Sequence, residues 1–401
     1  MTQITEPNKC TGCQACRLKC PSKCISFVAD DEGFQVPSVD DSNCTDCGLC
    51  ASNCPENNRP EFTKRNCIKV LGARYRNDAI LAKSASGGVF AGIASMVLET
   101  PGNAVFGCAF DENFVARHIC VTDVKGITPL QSSKYVQSDV GDTYLQAKDL
   151  LDKGKTVFYT GCPCQIAGLY AFLGKDYDNL LTADLICHGV PSPLLFKRYL
   201  GWLKKKYGGE IISVNFRSKD RNGWDITGKA EIKNNSKIKV KPIISNIDPY
   251  YSSFIANRTH RLCCYTCQYA NSERVADITL GDFWGIKNVH PEFYDSRGVS
   301  VVLVSTEKGA AFFEKVYKEF DIIESSFKNA AMSNHNLREP SPRRALRDDA
   351  YKGINEEATD IFKGSAYKIR KKTLVIINVK EGLKLILPRA VINMLKVVLR
   401  R

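Results

Sequence analysis

The chain has 401 residues, 44% of them hydrophobic, with 18 cysteines and a formal net charge of +13. That length exceeds a small cluster-binding module and predicts two or three domains with a core of ordinary size. No run approaches the roughly 18–20 uninterrupted apolar residues of a membrane-spanning helix.

The charge is lopsided. From Lys363 to Arg401 eleven Lys/Arg face one acid, Glu381. A nearly neutral body with a basic end argues for a docking tail rather than nucleic-acid binding. The opening Met-Thr-Gln-Ile-Thr-Glu-Pro has neither a basic n-region nor an apolar h-region, so the expectation is a cytoplasmic protein.

Cys10-Thr-Gly-Cys13-Gln-Ala-Cys16-Arg-Leu-Lys-Cys20 is followed by Pro21, and the spacing returns at Cys44, Cys47, Cys50 and Cys54 before Pro55. Three thiolates on a tight loop hold three iron corners of a cubane. The fourth, set off by three residues and a proline, completes the other cluster of a two-cluster ferredoxin. Cys10, Cys13, Cys16 and Cys54 are thus assigned to one [4Fe–4S] cluster, and Cys44, Cys47, Cys50 and Cys20 to its twin. Zinc sites instead pair two short Cys/His hooks across a longer gap. A hairpin is expected between the runs, around Asp30-Asp-Glu-Gly33, with apolar side chains covering the clusters. The unit spans residues 1–60 and leaves through Asn57-Asn-Arg-Pro60.

Helical character is read over Val70 to Leu81. Ser84-Ala-Ser-Gly-Gly-Val-Phe90 then opens an apolar helix, where free N–H groups suit a phosphate or the glycines serve packing alone. A hairpin follows at 104–110 and 114–121, then a helix over Thr143–Lys153. The strand at Thr156–Tyr159 leads to Gly161-Cys162-Pro163-Cys164 and a helix to Leu173. The strand at Leu180–Ile186 leads to Cys187-His188-Gly189 and a helix over Pro193–Tyr207. This is a βαβ pattern, which gathers ligands at the carboxyl ends of its strands, and both ends carry cysteine.

Strands are expected at Ile211–Phe216, Ile226–Ile232 and Ile238–Ile244, a helix at Tyr250–Asn257, and a thiol hook at Cys263-Cys264-Tyr-Thr-Cys267. A strand at Ala276–Leu280, another at Val299–Ser305 and a helix over Thr306–Phe320 close the body. Ser333–Asp349 reads as a surface loop. The basic tail from Lys368, divided by Pro388, reads as a solvated end or as a segment for a partner or membrane surface.

Cys24, Cys67, Cys108 and Cys120 read as buried thiols. Cys164, Cys187, Cys264 and Cys267 come from three loops and can close a third cubane. A Cys₄ zinc knot and a reactive Cys162-Pro-Cys164 pair are the alternatives. His188 can deliver a proton or make a structural hydrogen bond. No G-x-G-x-x-G exists, so a Rossmann nicotinamide site is unsupported. Lys155-Thr156 is no phosphate loop, because position 149 is Asp rather than Gly.

Ser84-Ala-Ser-Gly-Gly-Val-Phe90, Ser133-Lys-Tyr-Val-Gln-Ser138, Gly161-Cys-Pro-Cys-Gln-Ile-Ala-Gly168, Asp184-Leu-Ile-Cys-His-Gly-Val-Pro-Ser192, Phe216-Arg-Ser-Lys-Asp-Arg-Asn-Gly-Trp224 and Asp277-Ile-Thr-Leu-Gly-Asp-Phe-Trp284 together resemble the coenzyme F420 hydrogenase/dehydrogenase beta-subunit family. The likeness covers about residues 60–330. It implies noncovalent FAD beside a core [4Fe–4S] cluster held by Cys164, Cys187, Cys264 and Cys267. By position, Ser86, Gly87 and Gly88 would face the FAD diphosphate. Lys134, Tyr135, Asn215, Arg217 and Lys219 would lie along the flavin or its partner. The chain departs from the family at Cys162, where threonine or serine is usual, and carries Cys263 as an additional thiol.

The expected fold is α+β: a bacterial-type two-cluster ferredoxin domain (1–60), a mixed α/β flavin-binding core (61–330), and a polar loop with a basic tail (331–401). Relatives of this length resemble a bacterial branch found with cell-surface polysaccharide functions. The expected function is an oxidoreductase passing electrons from ferredoxin or a similar partner through its clusters to FAD, for reduction or oxidation of a substrate. The alternative is an electron-relay subunit without a substrate of its own. A zinc-stapled interaction protein is the third reading.

Overall fold

The structure is a computed structural model that describes residues 3–356 and 359–368. The basic tail beyond Lys368 lies outside the described residues. The N-terminal segment carries helix α1 (Ala15–Lys19), the hairpin β1 (Ile25–Ala29) and β2 (Gln35–Val39), and helix α2 (Leu49–Ser52). The hairpin pairs Ile25 with Val39 and Ala29 with Gln35, around the expected turn at Asp30–Gly33. Ile25 and Phe27 pack with Cys16, Cys20, Cys24, Cys44, Cys50 and Cys54, so the hairpin does cover the thiols.

Next come β3 (Lys69–Tyr75), α3 (Asp78–Lys83), α4 (Val89–Leu98), β4 (Ala104–Phe110), β5 (Ala116–Val121), α5 (Thr143–Asp152), β6 (Val157–Gly161), α6 (Pro163–Leu173), β7 (Leu180–Leu185) and α7 (Pro193–Tyr207). They are followed by β8 (Glu210–Asn215), β9 (Thr227–Asn234), β10 (Lys237–Ile244), α8 (Pro249–Ile255), β11 (Ile278–Asp282), α9 (Ile286–Val289), β12 (Ser300–Val304), α10 (Glu307–Glu314), β13 (Phe320–Ser325) and α11 (Phe327–Met332).

The main sheet has eight strands in the order β13-β3-β12-β11-β7-β6-β4-β5. Its β4-β6-β7-β11 centre is parallel and its flanks are antiparallel. Both faces are buried, which explains the nearly continuous apolar runs of its strands. Phe158 of β6 packs with α4 and α10 residues such as Ile93 and Phe313. Its neighbours Val157 and Tyr159 turn to α5 and α6, against Tyr144 and Ile166. The chain leaves β6 and β7 at the same edge of the sheet, so Cys162 and Cys187 meet there. A smaller sheet, β10-β9-β8, packs with α7 and α8.

Three expectations need correction. Residues 69–75 form a strand, not a helix. Val70, Leu71, Gly72 and Ala73 are all buried because β3 runs between β12 and β13, and without alternation its pattern does not read as a strand. The helix begins only after Asn77, whose side chain caps it by accepting from the amides of Ala79 and Ile80. The expected helix to Phe320 ends at Glu314, and the edge strand β13 follows. Ser333–Asp349 is not a surface loop throughout: Leu337, Ser341 and Arg347 are buried. Arg347 makes a two-pronged ion pair with Glu32 of the β1–β2 turn, so its charge enters the interior with a counter-charge.

Candidate functional site

The first cysteine run winds through left-handed backbone at Gly12 (φ 72) and Gln14 (φ 64) before α1. Cys10, Cys13, Cys16 and Cys54 gather as the spacing predicts. Burial pushes the Cys13 thiol up to about 12, with Cys54 and Cys10 adding to the rise. Cys16 and Cys54 are raised in the same way, burial first and neighbouring thiols after it. Thiols crowded out of water keep their protons until a cationic centre displaces them, which is the donor chemistry of an iron site.

The second set lies nearer the surface. Cys20, Cys44, Cys47 and Cys50 line one cavity of about 340 Å³, open mouth included, together with Cys24. Cys47 is exposed. Cys24 is buried as expected, and its Sγ is 3.5 Å from Cys20 Sγ. That contact, more than burial, pushes Cys24 up to about 12. Burial opposes a matching fall at Cys20, but hydrogen bonds from Cys24, Ser22 and Lys23 draw that thiol down.

The first set is seated on the α/β body. Gly168 of α6 lies under it, and a Cβ there would stand 2.8 Å from Cys13 Cβ and 3.0 Å from Cys13 Sγ. Gly168 is one turn past Cys164 on the same helix face. Arg261 donates to the carbonyls of Cys10 (2.7 Å) and Gln35 (3.0 Å), and Gln137 to that of Thr11 (3.2 Å). Half-buried Glu56 accepts from Tyr269 (2.9 Å), and removal from water raises its carboxyl. It adjoins both Cys54 and Cys267.

At the carboxyl edge of β6 and β7 the thiols of Cys162, Cys164, Cys187, Cys264 and Cys267 converge. Burial raises Cys164, with Cys187, Cys267, Cys264 and Cys13 adding to it. Burial and then Cys264 push Cys267 up to about 12. Cys187 is the exception. Its contact with Cys162 (3.8 Å), the Gly189 amide (3.4 Å) and the nearby Arg274 guanidinium draw it down against burial. Arg274 is itself held by buried Asp184 at 2.9 Å. Cys263 is buried behind this set, against Cys264. Among the described residues no three Cys, His, Asp or Glu converge on one metal ion. A cubane takes one thiolate at each of four separate irons, so its ligands stand farther apart than those of a single ion.

His188, next to Cys187, packs its ring on Phe254 and His260 at 5.2 and 5.1 Å. Its Nδ1 lies 3.4 Å from Asn336 Oδ1, and burial lowers its pKa. Phe254 stacks in turn on Tyr135 at 4.6 Å, which joins the thiol set to the residues expected along a flavin.

Those residues form one network. Arg217 pairs with both oxygens of Asp282 at 2.7 Å and reaches Ala85 O (3.1 Å) and Tyr135 OH (3.4 Å). Asn215 Oδ1 accepts from Ser132 and from the Arg217 amide, each at 2.8 Å. Lys219 donates to Leu81 O and Ser86 O at 2.7 Å. Lys134 donates to Pro129 O and Gln131 O at 2.7 and 2.8 Å. Burial holds both lysines down at about 8, and the nearby Arg217 adds to the fall at Lys219.

The turn itself is more committed than its sequence suggests. Ser86 Oγ donates to Val299 O, and the Gly87 amide is already taken by Ser300 Oγ at 2.9 Å. Gly88 (φ 80) opens α4. The sequence reading did not single out Asp282, nor Trp224 and Trp284, whose rings stack 5.0 Å apart beside Arg217.

Paired cubane-type thiol sets on an α+β body define an iron–sulfur electron-transfer protein of the oxidoreductase type. Residues 9–58 match the 4Fe-4S dicluster domain, and residues 154–329 match the family model for the C terminus of the coenzyme F420 hydrogenase/dehydrogenase beta subunit. Over residues 154–329 the chain is similar to the coenzyme F420 hydrogenase/dehydrogenase beta-subunit family.

"Uncharacterized protein MJ1349" of Methanocaldococcus jannaschii is 22% identical over 351 residues, covering 78% of this chain and 88% of that protein. "NADH-dependent phenylglyoxylate dehydrogenase subunit delta" of Aromatoleum evansii is 32% identical over 56 residues, 14% of this chain and 55% of that subunit. A chain from the xenon-derivatised F420-reducing [NiFe] hydrogenase complex of Methanosarcina barkeri superposes with a TM-score of 0.42 at 15% identity, over 77% of this chain and 97% of that one. No helix among the described residues is long and apolar enough to cross a membrane.

Proposed function

We propose that this protein is an iron–sulfur flavoenzyme whose residues hold three [4Fe–4S] clusters and FAD in series. Bound there, the clusters supply one-electron conduction and the flavin exchanges one electron with them or two with a substrate. The observation that carries the reading is the seating of Cys13 on α6 at Gly168, one turn from Cys164. It brings the first thiol set against the third.

Cys20, Cys44, Cys47 and Cys50 would hold the outermost cluster, where a redox protein can dock. Cys10, Cys13, Cys16 and Cys54 would hold the middle one, dry and fixed by Arg261. Cys164, Cys187, Cys264 and Cys267 would hold the innermost, with Cys162 within reach of Cys187. Lys134, Tyr135, Asn215, Arg217 and Lys219 would lie along the flavin or its partner. Ser86, Gly87 and Gly88 would shape the adjoining turn. His188 would hold a proton beside the innermost cluster.

Anaerobic purification with iron, sulfide and flavin counted per chain tests this. About twelve irons and one FAD are expected. About eight irons with no flavin would refute the inner cluster and the flavin site together.

A further inference from the structure

Strands β9 and β10 close through the turn Asn235-Ser236, with Asn235 in left-handed backbone (φ 52). Ala230 and Ile243 turn inward onto α7 and α8 residues such as Leu203 and Tyr250. The other face of the hairpin carries Ile238 opposite Lys233 and Val240 opposite Glu231. Ile238 and Val240 are 60% and 58% exposed, the two most exposed large apolar side chains among the described residues. Lys233, Lys237 and Lys239 surround them in water. Exposed Lys204, Lys205 and Lys206 end α7, and Lys206 and Lys241 both lie on the Tyr207 ring, at 5.0 and 5.2 Å. The helix end is thereby joined to the strand. The acids of α7 and β8–β10 are Glu210 and Glu231, and Glu231 pairs with Lys229 at 3.2 Å. Lysines alone keep an edge strand such as β10 from pairing with another chain. They do not account for two β-branched apolar side chains held out in water between them. Phe362 packs at 6.0 Å on Trp202, the ring over which Lys206 stands at 4.4 Å. The chain therefore runs past this lysine end of α7 toward its basic tail.

We propose that the β9–β10 hairpin, with the end of α7 behind it, docks on an anionic lipid surface. Ile238 and Val240 enter the headgroup layer. The lysines around them lay their stems on the same boundary and place their ammonium groups on lipid phosphates. The basic tail adds to the attraction without supplying the apolar contact. Nucleic acid fits less well, because the tip has no aromatic ring on which a base can stack. A protein partner fits less well too: a stable interface buries roughly 800 Å² on each side, far more than two apolar side chains on a narrow turn offer. None of these residues belongs to the thiol sets or to the Arg217 network, so the surface is independent of the cluster and flavin assignments.

The test uses the full chain, tail included, prepared anaerobically and sedimented with vesicles of phosphatidylcholine alone or mixed in equal parts with phosphatidylglycerol. Binding to the mixed vesicles is expected, weakening as salt rises. The triple variant Lys233→Gln/Lys237→Gln/Lys239→Gln should bind them on the order of a hundredfold more weakly. Ile238→Ser/Val240→Ser should bind at least about tenfold more weakly, with the salt dependence kept. All five side chains are exposed, so both variants should keep the wild-type denaturation midpoint. Wild-type affinity in both variants leaves the tail as the sole anchor and overturns the proposal. A loss confined to the lysine variant overturns the apolar insertion. Absence of vesicle binding overturns the lipid assignment, whether or not the chain then retains polyglutamate or duplex DNA.

Discussion

Gly168→Ala is a substitution whose sign depends on whether the ferredoxin segment rests on the body. Inside an exposed helix, glycine to alanine stabilises by about 1 kcal/mol, because alanine loses less backbone freedom on folding. Here the new methyl would stand 2.8 Å from Cys13 Cβ and 3.0 Å from both Cys13 Sγ and Tyr144 Oη. Ordinary carbon contacts begin near 3.5 Å, so the Cys10–Cys16 loop has to lift or α6 has to shift. Forcing a methyl into a filled space costs about 1–3 kcal/mol. Set against the helix gain, the net is a destabilisation of up to about 2 kcal/mol. Thermal denaturation under anaerobic conditions reads the stability, and the resonance spectrum of the reduced protein reads the first cluster. The expected result is a lower midpoint with an altered first-cluster signal. A variant stabilised by about 1 kcal/mol with an unchanged spectrum would refute the seating of Cys13 on α6.

Cys264→Ala should lose about four irons while sparing the N-terminal pair, and a full iron count would remove Cys264 from the ligand set. Arg217→Met should release the flavin and leave Asp282 with the Trp224 indole N–H alone, a loss of about 3 kcal/mol read in urea unfolding; retention of both flavin and stability would argue against the network. Burial holds His118 down at about 4 against the ordinary 6.5, its Nε2–H donating to Thr160 O. The unfolded chain then takes up a proton between pH 6.5 and 4 that the folded chain refuses. Stability present above pH 6.5 is therefore lost as pH falls through that window, by up to about 3 kcal/mol. Denaturation midpoints for His118→Gln from pH 7 to 4 should show a flatter acid limb than wild type.

The cysteine runs were legible because ligand spacing is a local constraint: a tight loop must present three sulfurs within a few residues. The βαβ unit was legible for a similar reason, since β6, α6 and β7 follow one another with their period unbroken. Reading β3 failed because a strand buried on both faces carries no alternation. Ser333–Asp349 misled because its charges suggest water, while the partner that lets Arg347 enter the interior is Glu32, some three hundred residues away. Cys24 was read as a buried thiol, and it is buried. Its setting is defined by Cys20, Cys44 and the hairpin around it, and no linear spacing announces that. Asp282 lay inside a recognised stretch, but only the fold shows that its carboxylate holds Arg217.

Arg261, Gln137, Arg17, Lys19 and Gln268 all reach across to main-chain oxygens: those of Cys10 and Gln35, of Thr11, of Gly141, of Phe172 and of Pro55. Carbonyls are common to every residue type. Arg17 and Lys19 lie on the cluster segment itself and must stay, but where Arg261 and Gln137 donate from the body, an accepting residue such as Thr11 or Gln35 can drift while the contact persists. Gly12 is the exception, since any side chain there would press on the Arg261 guanidinium at 3.2 Å and on Gln35 O at 3.1 Å.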